Sequence, residues 1–103
     1  MGDGPRLTSQ TLKVLGALLA NCSDGLSGAE IGRETGLPSG TLYPILLRLE
    51  DAGWLDSYWE STTPQQLGRP RRRFYSLKAV GIRKTKSAFR DVTSAIGGLA
   101  WER

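Results

Sequence analysis

The sequence predicts a mainly α chain with a small β-hairpin, and three observations support this. Apolar residues recur every three or four positions in the first half and again in the last quarter, which is the period of an amphipathic helix. Two short aromatic segments, 54–60 and 71–77, flank a polar run, as the strands of a hairpin do. Serine, threonine and glycine residues suited to helix caps separate the helical stretches.

The first two helices have readable ends. The first runs from Thr8 or Ser9, either of which is a good N-cap, to near Asn21. The second follows Ser27-Gly28-Ala29-Glu30, which has the Ser-x-x-Glu form of a capping box, and ends near Thr35. Gly36 then suits a left-handed C-cap.

A tight turn at residues 37–40, with Ser39 as a second capping serine, leads into the third helix. Its inward face is formed by apolar residues at i, i+3, i+4 and i+7, namely Leu42, Ile45, Leu46 and Leu49. Pro44 is compatible with a helix that begins at Gly40 or Thr41, because first-turn amides have no partner within the helix. Gly53 is expected to close this helix.

The second half begins with the hairpin, whose polar segment 61–68 predicts a long mobile tip. After Leu77 the pattern is helical again, with steps of three and four that are typical of a coiled coil. The residues in this register are Ile82, Thr85, Phe89, Val92, Ile96 and Leu99. Gly97 and Gly98 are expected to weaken the end of this last helix.

Composition argues against catalysis. The chain has no histidine, which removes the commonest general base and metal ligand, and its single cysteine, Cys22, cannot form an intrachain disulfide or a cysteine-based zinc site. No glycine spacing matches a phosphate-binding loop. We therefore expect no enzyme activity, no cofactor and no bound metal. The longest apolar run is too short to span a bilayer and no secretory signal is recognisable, which predicts a cytoplasmic protein of one domain, residues 1–103.

The positive charge is concentrated in one stretch. Nine of the fourteen basic residues lie between Glu60 and Asp91, where no acidic residue occurs. Such a run is either a solvated basic surface or a binding surface for an acidic partner. The order of elements favours the second interpretation, because three helices, a hairpin and a further helix form a winged helix-turn-helix, residues 8–77, with a C-terminal dimerisation helix and tail, residues 78–103. In that geometry the third helix reads the major groove of duplex DNA and the hairpin, or wing, lies along the backbone.

Two segments resemble a known family. Residues 41–55, from Thr41-Leu42-Tyr43-Pro44 to Gly53-Trp54-Leu55, resemble the recognition-helix signature of the PadR family of bacterial transcription regulators. Residues 68–77, Gly-Arg-Pro-Arg-Arg-Arg-Phe-Tyr-Ser-Leu, followed by Gly81, resemble its wing motif. The resemblance implies a homodimeric regulator, usually a repressor, whose last helix pairs with the partner and whose affinity for double-stranded DNA responds to a small, often aromatic, effector. Ala29, where many members have tyrosine, and Lys78, where they have threonine, depart from the pattern.

These considerations select the candidate residues. For DNA binding they are Ser39, Thr41, Tyr43, Pro44, Arg48, Arg69, Arg71, Arg72 and Arg73, with Arg69 as the main wing contact. For dimerisation they are Leu12, Leu15, Phe89, Val92, Ile96 and Leu99. Tyr43 is interpreted either as a recognition residue or as a packing residue, and Arg48 either as a backbone contact or as the partner of Asp51.

Other functions remain open from the sequence. A winged helix can also serve as a protein-interaction module in a larger assembly, although its interaction face would then tend to be apolar or mixed. An RNA-binding basic domain fits less well, because no sheet of useful size alternates aromatic and basic residues. Strong, salt-sensitive binding to duplex DNA would distinguish the regulator from both.

Overall fold

The described part of the chain contains five helices and a three-stranded antiparallel sheet. A computed structural model describes the backbone of residues 5–101 and the side chains of residues 5–93. The elements are α1 Ser9–Ala20, β1 Leu26–Ser27, α2 Gly28–Thr35, α3 Ser39–Asp51, β2 Leu55–Trp59, α4 Pro64–Leu67, β3 Arg73–Leu77 and α5 Ala79–Trp101. The strand order is β1-β3-β2. The predicted winged helix-turn-helix with a long C-terminal helix is therefore confirmed.

The ends of α1 and α2 are as predicted. The Thr8 side chain accepts a hydrogen bond from the Thr11 amide, at 3.2 Å. In the capping box, the Ser27 amide donates to Glu30 Oε1 at 2.9 Å, and the Glu30 amide donates to Ser27 Oγ at 3.2 Å. Gly36 ends α2 in the left-handed region, with φ of 74°. Three of these boundaries therefore coincide with capping residues that are recognisable in the sequence.

The start of α3 differs from the prediction. The N-cap is Pro38 and its side chain forms no capping hydrogen bond, so the predicted capping role of Ser39, which is the first helical residue, is wrong. Pro44 is therefore the sixth residue of α3 and lies inside the helix rather than in its first turn. It removes the amide that would bond to the carbonyl of Gly40, and that carbonyl lies in an exposed turn where water can replace the bond.

The hairpin is shorter at its outer end and more ordered at its tip than predicted. Strands β2 and β3 pair from Leu55 with Leu77 to Trp59 with Arg73. The tip holds the short helix α4, in which Thr63 accepts a hydrogen bond from the Gln66 amide and Gly68 closes the turn with φ of 70°. The threonine N-cap, the proline in the first turn and the terminal glycine are the usual signals of a helix, so the expected long loop was an incomplete interpretation.

Strand β1 was not predicted. Its two residues pair with β3, Leu26 with Tyr75 and Ser27 with Phe74. A two-residue strand has no alternation to detect in the sequence. Because β1 pairs with β3, Gly28, the first residue of α2, lies beside the wing.

The core lies between α1, α2, α3 and the inner face of the sheet. Its largest fully buried side chains include Leu15, Leu18, Ile31, Leu42 and Leu46. Leu15 was predicted to lie in a dimer interface, and the structure corrects this: its side chain is 0% exposed and packs in the chain's own core. Cys22 is exposed in the turn after α1.

Helix α5 starts against Trp54, the residue that precedes β2. The Lys78 amide donates to the Trp54 carbonyl at 2.9 Å, and a Cβ placed on Gly81 would overlap that same carbonyl oxygen. The helix continues through Gly97 and Gly98 to Trp101, so the two glycines do not end it. Within residues 5–101, no helix is both long enough and apolar enough to cross a membrane.

Candidate nucleic-acid interface

The outer face of α3 is open along its length. Its four buried residues are Leu42, Ile45, Leu46 and Leu49. The exposed residues on the other side are Ser39, Gly40, Tyr43, Pro44, Leu47, Arg48 and Asp51, and Thr41 is half-buried. This face contains all five α3 residues predicted to bind DNA. It also contains Leu47, which is 59% exposed and which the sequence reasoning missed. The sequence did indicate this exposure, because Leu47 lies outside the apolar stripe formed by the four buried residues of α3.

Tyr43 lies beside the apolar stripe, as predicted, and crosses to the start of α2. Its ring is 44% exposed, and a Cβ on Gly28 would overlap the Tyr43 hydroxyl. The absence of a side chain at Gly28 therefore lets the hydroxyl rest on the first turn of α2. The position suits a group that faces DNA, and the role itself stays a prediction.

The wing arginines fall into different environments, beginning with Arg69. Its guanidinium forms a fork with the carboxylate of Glu60, with Nη1 to Oε1 at 2.7 Å and Nη2 to Oε2 at 3.0 Å. The Arg72 amide donates to the same Oε1 at 2.8 Å. These hydrogen bonds lower the pKa of Glu60 to about 2, with the Arg69 side chain as the larger cause. The same pair raises the pKa of Arg69.

Arg69, Glu60 and the Arg72 amide therefore close the base of the wing tip. Glu60 was not among the residues predicted to form the site. Its position as the last acidic residue before the basic stretch was the one indication of this role in the sequence. Arg69, predicted as the main wing contact, is already occupied by this carboxylate.

Arg71 and Arg72 have exposed side chains. Arg71 Nε donates to the Thr62 carbonyl at 3.1 Å. Neither guanidinium takes part in an ion pair among the residues with described side chains. Both arginines line a groove of about 350 Å³ together with Tyr43, Trp59, Arg73 and residues 27–29. The structure thus brings the wing and the N-terminal half of α3 to one surface.

Arg73 is held between the wing and α3. Its guanidinium lies 5.1 Å from the ring centroid of Trp59, and Nη2 donates to Ser57 Oγ at 2.5 Å. The same nitrogen is 3.7 Å from Glu50 Oε2. Below it, burial raises the pKa of Tyr75, an effect that Arg73 opposes.

Arg48 stands apart from these contacts. It is exposed on α3, and the predicted alternative, a pair with Asp51, is not among the ion pairs formed by residues 5–93.

Comparison with known proteins identifies the family. The Transcriptional regulator PadR-like family matches residues 28–87, which include α2, α3, the wing and the start of α5. The chain belongs to the PadR-like family of transcriptional regulators. No curated protein matches it.

Solved structures share the fold of this PadR-like chain. S. aureus MepR in its DNA-binding conformation is 21% identical with a TM-score of 0.72, over 94% of this chain and 66% of MepR. The S. aureus MepR-DNA complex is 22% identical with a TM-score of 0.69, over 93% and 72% of the two chains. NadR in complex with 4-hydroxyphenylacetate is 22% identical with a TM-score of 0.72, over 90% and 60%. The PadR-like chain thus spans about two thirds of the length of these proteins.

The PadR-like chain has a second open surface between α1 and α5. A groove of about 670 Å³ is lined by α1 residues including Leu12, by the end of α2 and by Phe89. The Phe89 ring packs on Gly16, 3.3 Å from the position of a Cβ there. Val92 is 41% exposed. The side chains of Ile96 and Leu99, also predicted to form the dimer, lie outside the described residues.

Proposed function

We propose that the chain is a cytoplasmic, sequence-specific DNA-binding repressor that acts as a homodimer and has no catalytic function. In this proposal α3 enters the major groove and the wing follows the neighbouring backbone. The observation that carries it is the groove in which Tyr43 of α3 lies beside Arg71 and Arg72 of the wing. Membership of the PadR-like family and the fold shared with the MepR-DNA complex support the same function.

The exposed face of α3 has the chemistry that base reading requires. Tyr43 and Arg48 supply donors, while Pro44 and Leu47 offer apolar surface for a thymine methyl group. The adjacent wing supplies two exposed guanidinium groups, which match phosphate geometry. We assign the phosphate contacts to Arg71 and Arg72. Arg69 stays with Glu60, because leaving that carboxylate would break two hydrogen bonds.

A salt titration tests the wing. The operator duplex is obtained by selection from random sequence, and a scrambled duplex of equal length and composition serves for comparison. Each neutralised phosphate contributes about −0.9 to the slope of log affinity against log salt, so a dimer without Arg71 and Arg72 loses up to about 3.6 units. We expect the double variant Arg71→Ala with Arg72→Ala to flatten the slope by at least about two units. Its affinities for the operator and for the scrambled duplex should fall by similar factors.

The matched control is Arg83→Ala with Lys84→Ala, which removes equal charge from exposed positions at the start of α5. If both double variants have the same slope, the basic wing is a solvated surface. If the parent protein itself binds duplex DNA weakly and without salt dependence, the interaction-module hypothesis is favoured.

We also propose that a small aromatic effector binds in the groove between α1 and Phe89. The volume of about 670 Å³ is within the range of small-molecule sites, and Leu12 and Phe89 supply apolar walls. The shared fold with NadR, which was solved in complex with 4-hydroxyphenylacetate, supports an aromatic compound as the effector. Binding of 4-hydroxyphenylacetate is measurable by calorimetry, and Ala17→Trp, which fills the groove, is expected to abolish it. Heat of binding that is unchanged in this variant would exclude the groove.

A further inference from the structure

Three elements meet at Arg73. Glu50 comes from the last turns of α3, Ser57 and Trp59 come from β2, and Arg73 begins β3. The Ser57 hydroxyl donates to Glu50 Oε2 at 2.6 Å and accepts from Arg73 Nη2 at 2.5 Å. Arg73 also approaches Glu50 Oε2 at 3.7 Å and stacks over the Trp59 ring at 5.1 Å. We name these four residues the α3–wing brace.

We propose that the α3–wing brace fixes the orientation of the wing relative to α3, and that Arg73 is a positioning residue for sequence recognition rather than a DNA contact. The inference deepens the proposed function and rests on it. Recognition by a winged helix needs two placements at once, α3 against base edges and the wing against phosphates. A rigid link between the two elements holds both in register.

The chemistry of Arg73 favours positioning. Its guanidinium is already committed to a hydroxyl, a carboxylate and an aromatic face, whereas those of Arg71 and Arg72 are free of ion pairs among the residues with described side chains. A planar guanidinium can serve all three partners at once because its donors form a fixed fork and its face stacks on an aromatic ring. A lysine ammonium is a point charge and cannot reproduce that geometry.

The magnitudes point away from a purely stabilising role. Arg73 and Glu50 have side chains that are about one third exposed, and ion pairs in that environment contribute about 0–1 kcal/mol. The hydroxyl of Ser57 bridges the two charges, so its loss leaves Arg73 and Glu50 with only their direct approach at 3.7 Å. The brace therefore contributes more to orientation than to the free energy of unfolding.

The test uses two variants that leave the net charge unchanged, Ser57→Ala and Arg73→Lys, in the full chain. The readout is the ratio of affinities for the selected operator and the scrambled duplex. We expect each variant to lower this ratio about fivefold to tenfold, while the salt slope on the scrambled duplex stays the same. Ser76→Ala, on β3 outside the brace, is the matched control and should keep the parental ratio.

The ratio separates the alternatives. If the brace residues only stabilise the fold, the variants lower the fraction of folded protein. The apparent affinities for both duplexes then fall equally, and their ratio is unchanged. A phosphate contact by Arg73 would be retained by lysine, so a parental ratio in Arg73→Lys overturns the inference. A parental ratio in Ser57→Ala overturns it as well. If the parent protein itself does not distinguish the two duplexes, the proposed function fails and the brace inference fails with it.

Discussion

Gly81 shows how a single missing side chain sets the packing of an element. The first turn of α5 crosses the backbone of Trp54, and a Cβ at Gly81 would overlap the Trp54 carbonyl oxygen and crowd Leu77. The overlapping partner is backbone, which cannot rotate away as a flexible side chain could. Gly81, the glycine that follows the segment resembling the PadR wing motif, is therefore required in this chain for steric reasons.

We expect Gly81→Ala to lower the free energy of unfolding by about 1–3 kcal/mol, the usual effect of overpacking. Urea denaturation measures it. The control is Gly40→Ala in α3, where nothing lies within 4 Å of the added Cβ, and alanine there should be neutral or stabilising because it favours helix. Equal stability of Gly81→Ala and the parent would show that α5 can shift on the sheet.

The hydroxyl of Tyr43 is the second residue-scale case. Tyr43→Phe keeps the ring on Gly28 and removes only the hydroxyl, so the melting temperature should stay nearly constant. If the hydroxyl contacts DNA, operator affinity falls by roughly 1–3 kcal/mol, the range of a specific contact. Fluorescence anisotropy with a labelled operator duplex measures this loss.

Tyr58→Phe provides the control for Tyr43→Phe. The Tyr58 hydroxyl donates to the Asp24 carbonyl at 3.3 Å on the opposite face of the hairpin. Its removal should affect stability slightly and operator affinity not at all. If Tyr43→Phe and Tyr58→Phe bind the operator as the parent does, Tyr43 is a packing residue.

At the scale of elements, the wing tip depends on Glu60. The folded-state pKa of Glu60 is about 2, below its ordinary value of 4.5, because the Arg69 side chain and the Arg72 amide donate to its carboxylate. A carboxyl group whose pKa is lowered in the folded state stabilises the native state at any pH above its ordinary pKa. That stabilisation is lost as the pH falls from about 4.5 toward 2.

Glu60→Gln should therefore melt at a lower temperature than the parent at pH 7, and the difference should shrink as the pH falls below 4.5. Thermal denaturation followed by circular dichroism between pH 7 and pH 3 measures this difference. Asp56→Asn, at an exposed carboxylate of β2, is the control. A difference between Glu60→Gln and the parent that stays constant across this range would mean that the fork with Arg69 does not stabilise the fold.

The elements also show what the sequence could and could not predict. The ends of α1 and α2 were predictable because Thr8, Ser27 and Gly36 act within one turn of the helix. The ion pairs of the wing arginines were not predictable, because Glu60 meets Arg69 only across the folded wing tip, and Glu50 of α3 meets Arg73 of β3 only once the helix packs on the sheet. The basic stretch was therefore predicted as one surface, and the structure divides it into paired and open arginines.

At the scale of the whole molecule, the open face of α5 is the basis of the predicted dimer. Phe89 is held by α1 through Gly16, whereas Val92, one turn further, is 41% exposed and apolar. An apolar residue in coiled-coil register that the described side chains leave exposed is suited to a second copy of α5. A dimer would also present two α3 helices to two half-sites, which raises affinity through effective concentration.

We expect Val92→Asp to dissociate the dimer, because a carboxylate buried in an apolar interface without a partner is strongly unfavourable. Sedimentation velocity should then give a monomer, and operator affinity should fall because each monomer binds one half-site alone. Ser87→Asp is the control, since it adds the same charge on the outward face of α5 and should leave the dimer intact. A dimer that persists in Val92→Asp at the parental concentration would move the interface away from this part of α5, and the two α3 helices would have to be related through another surface.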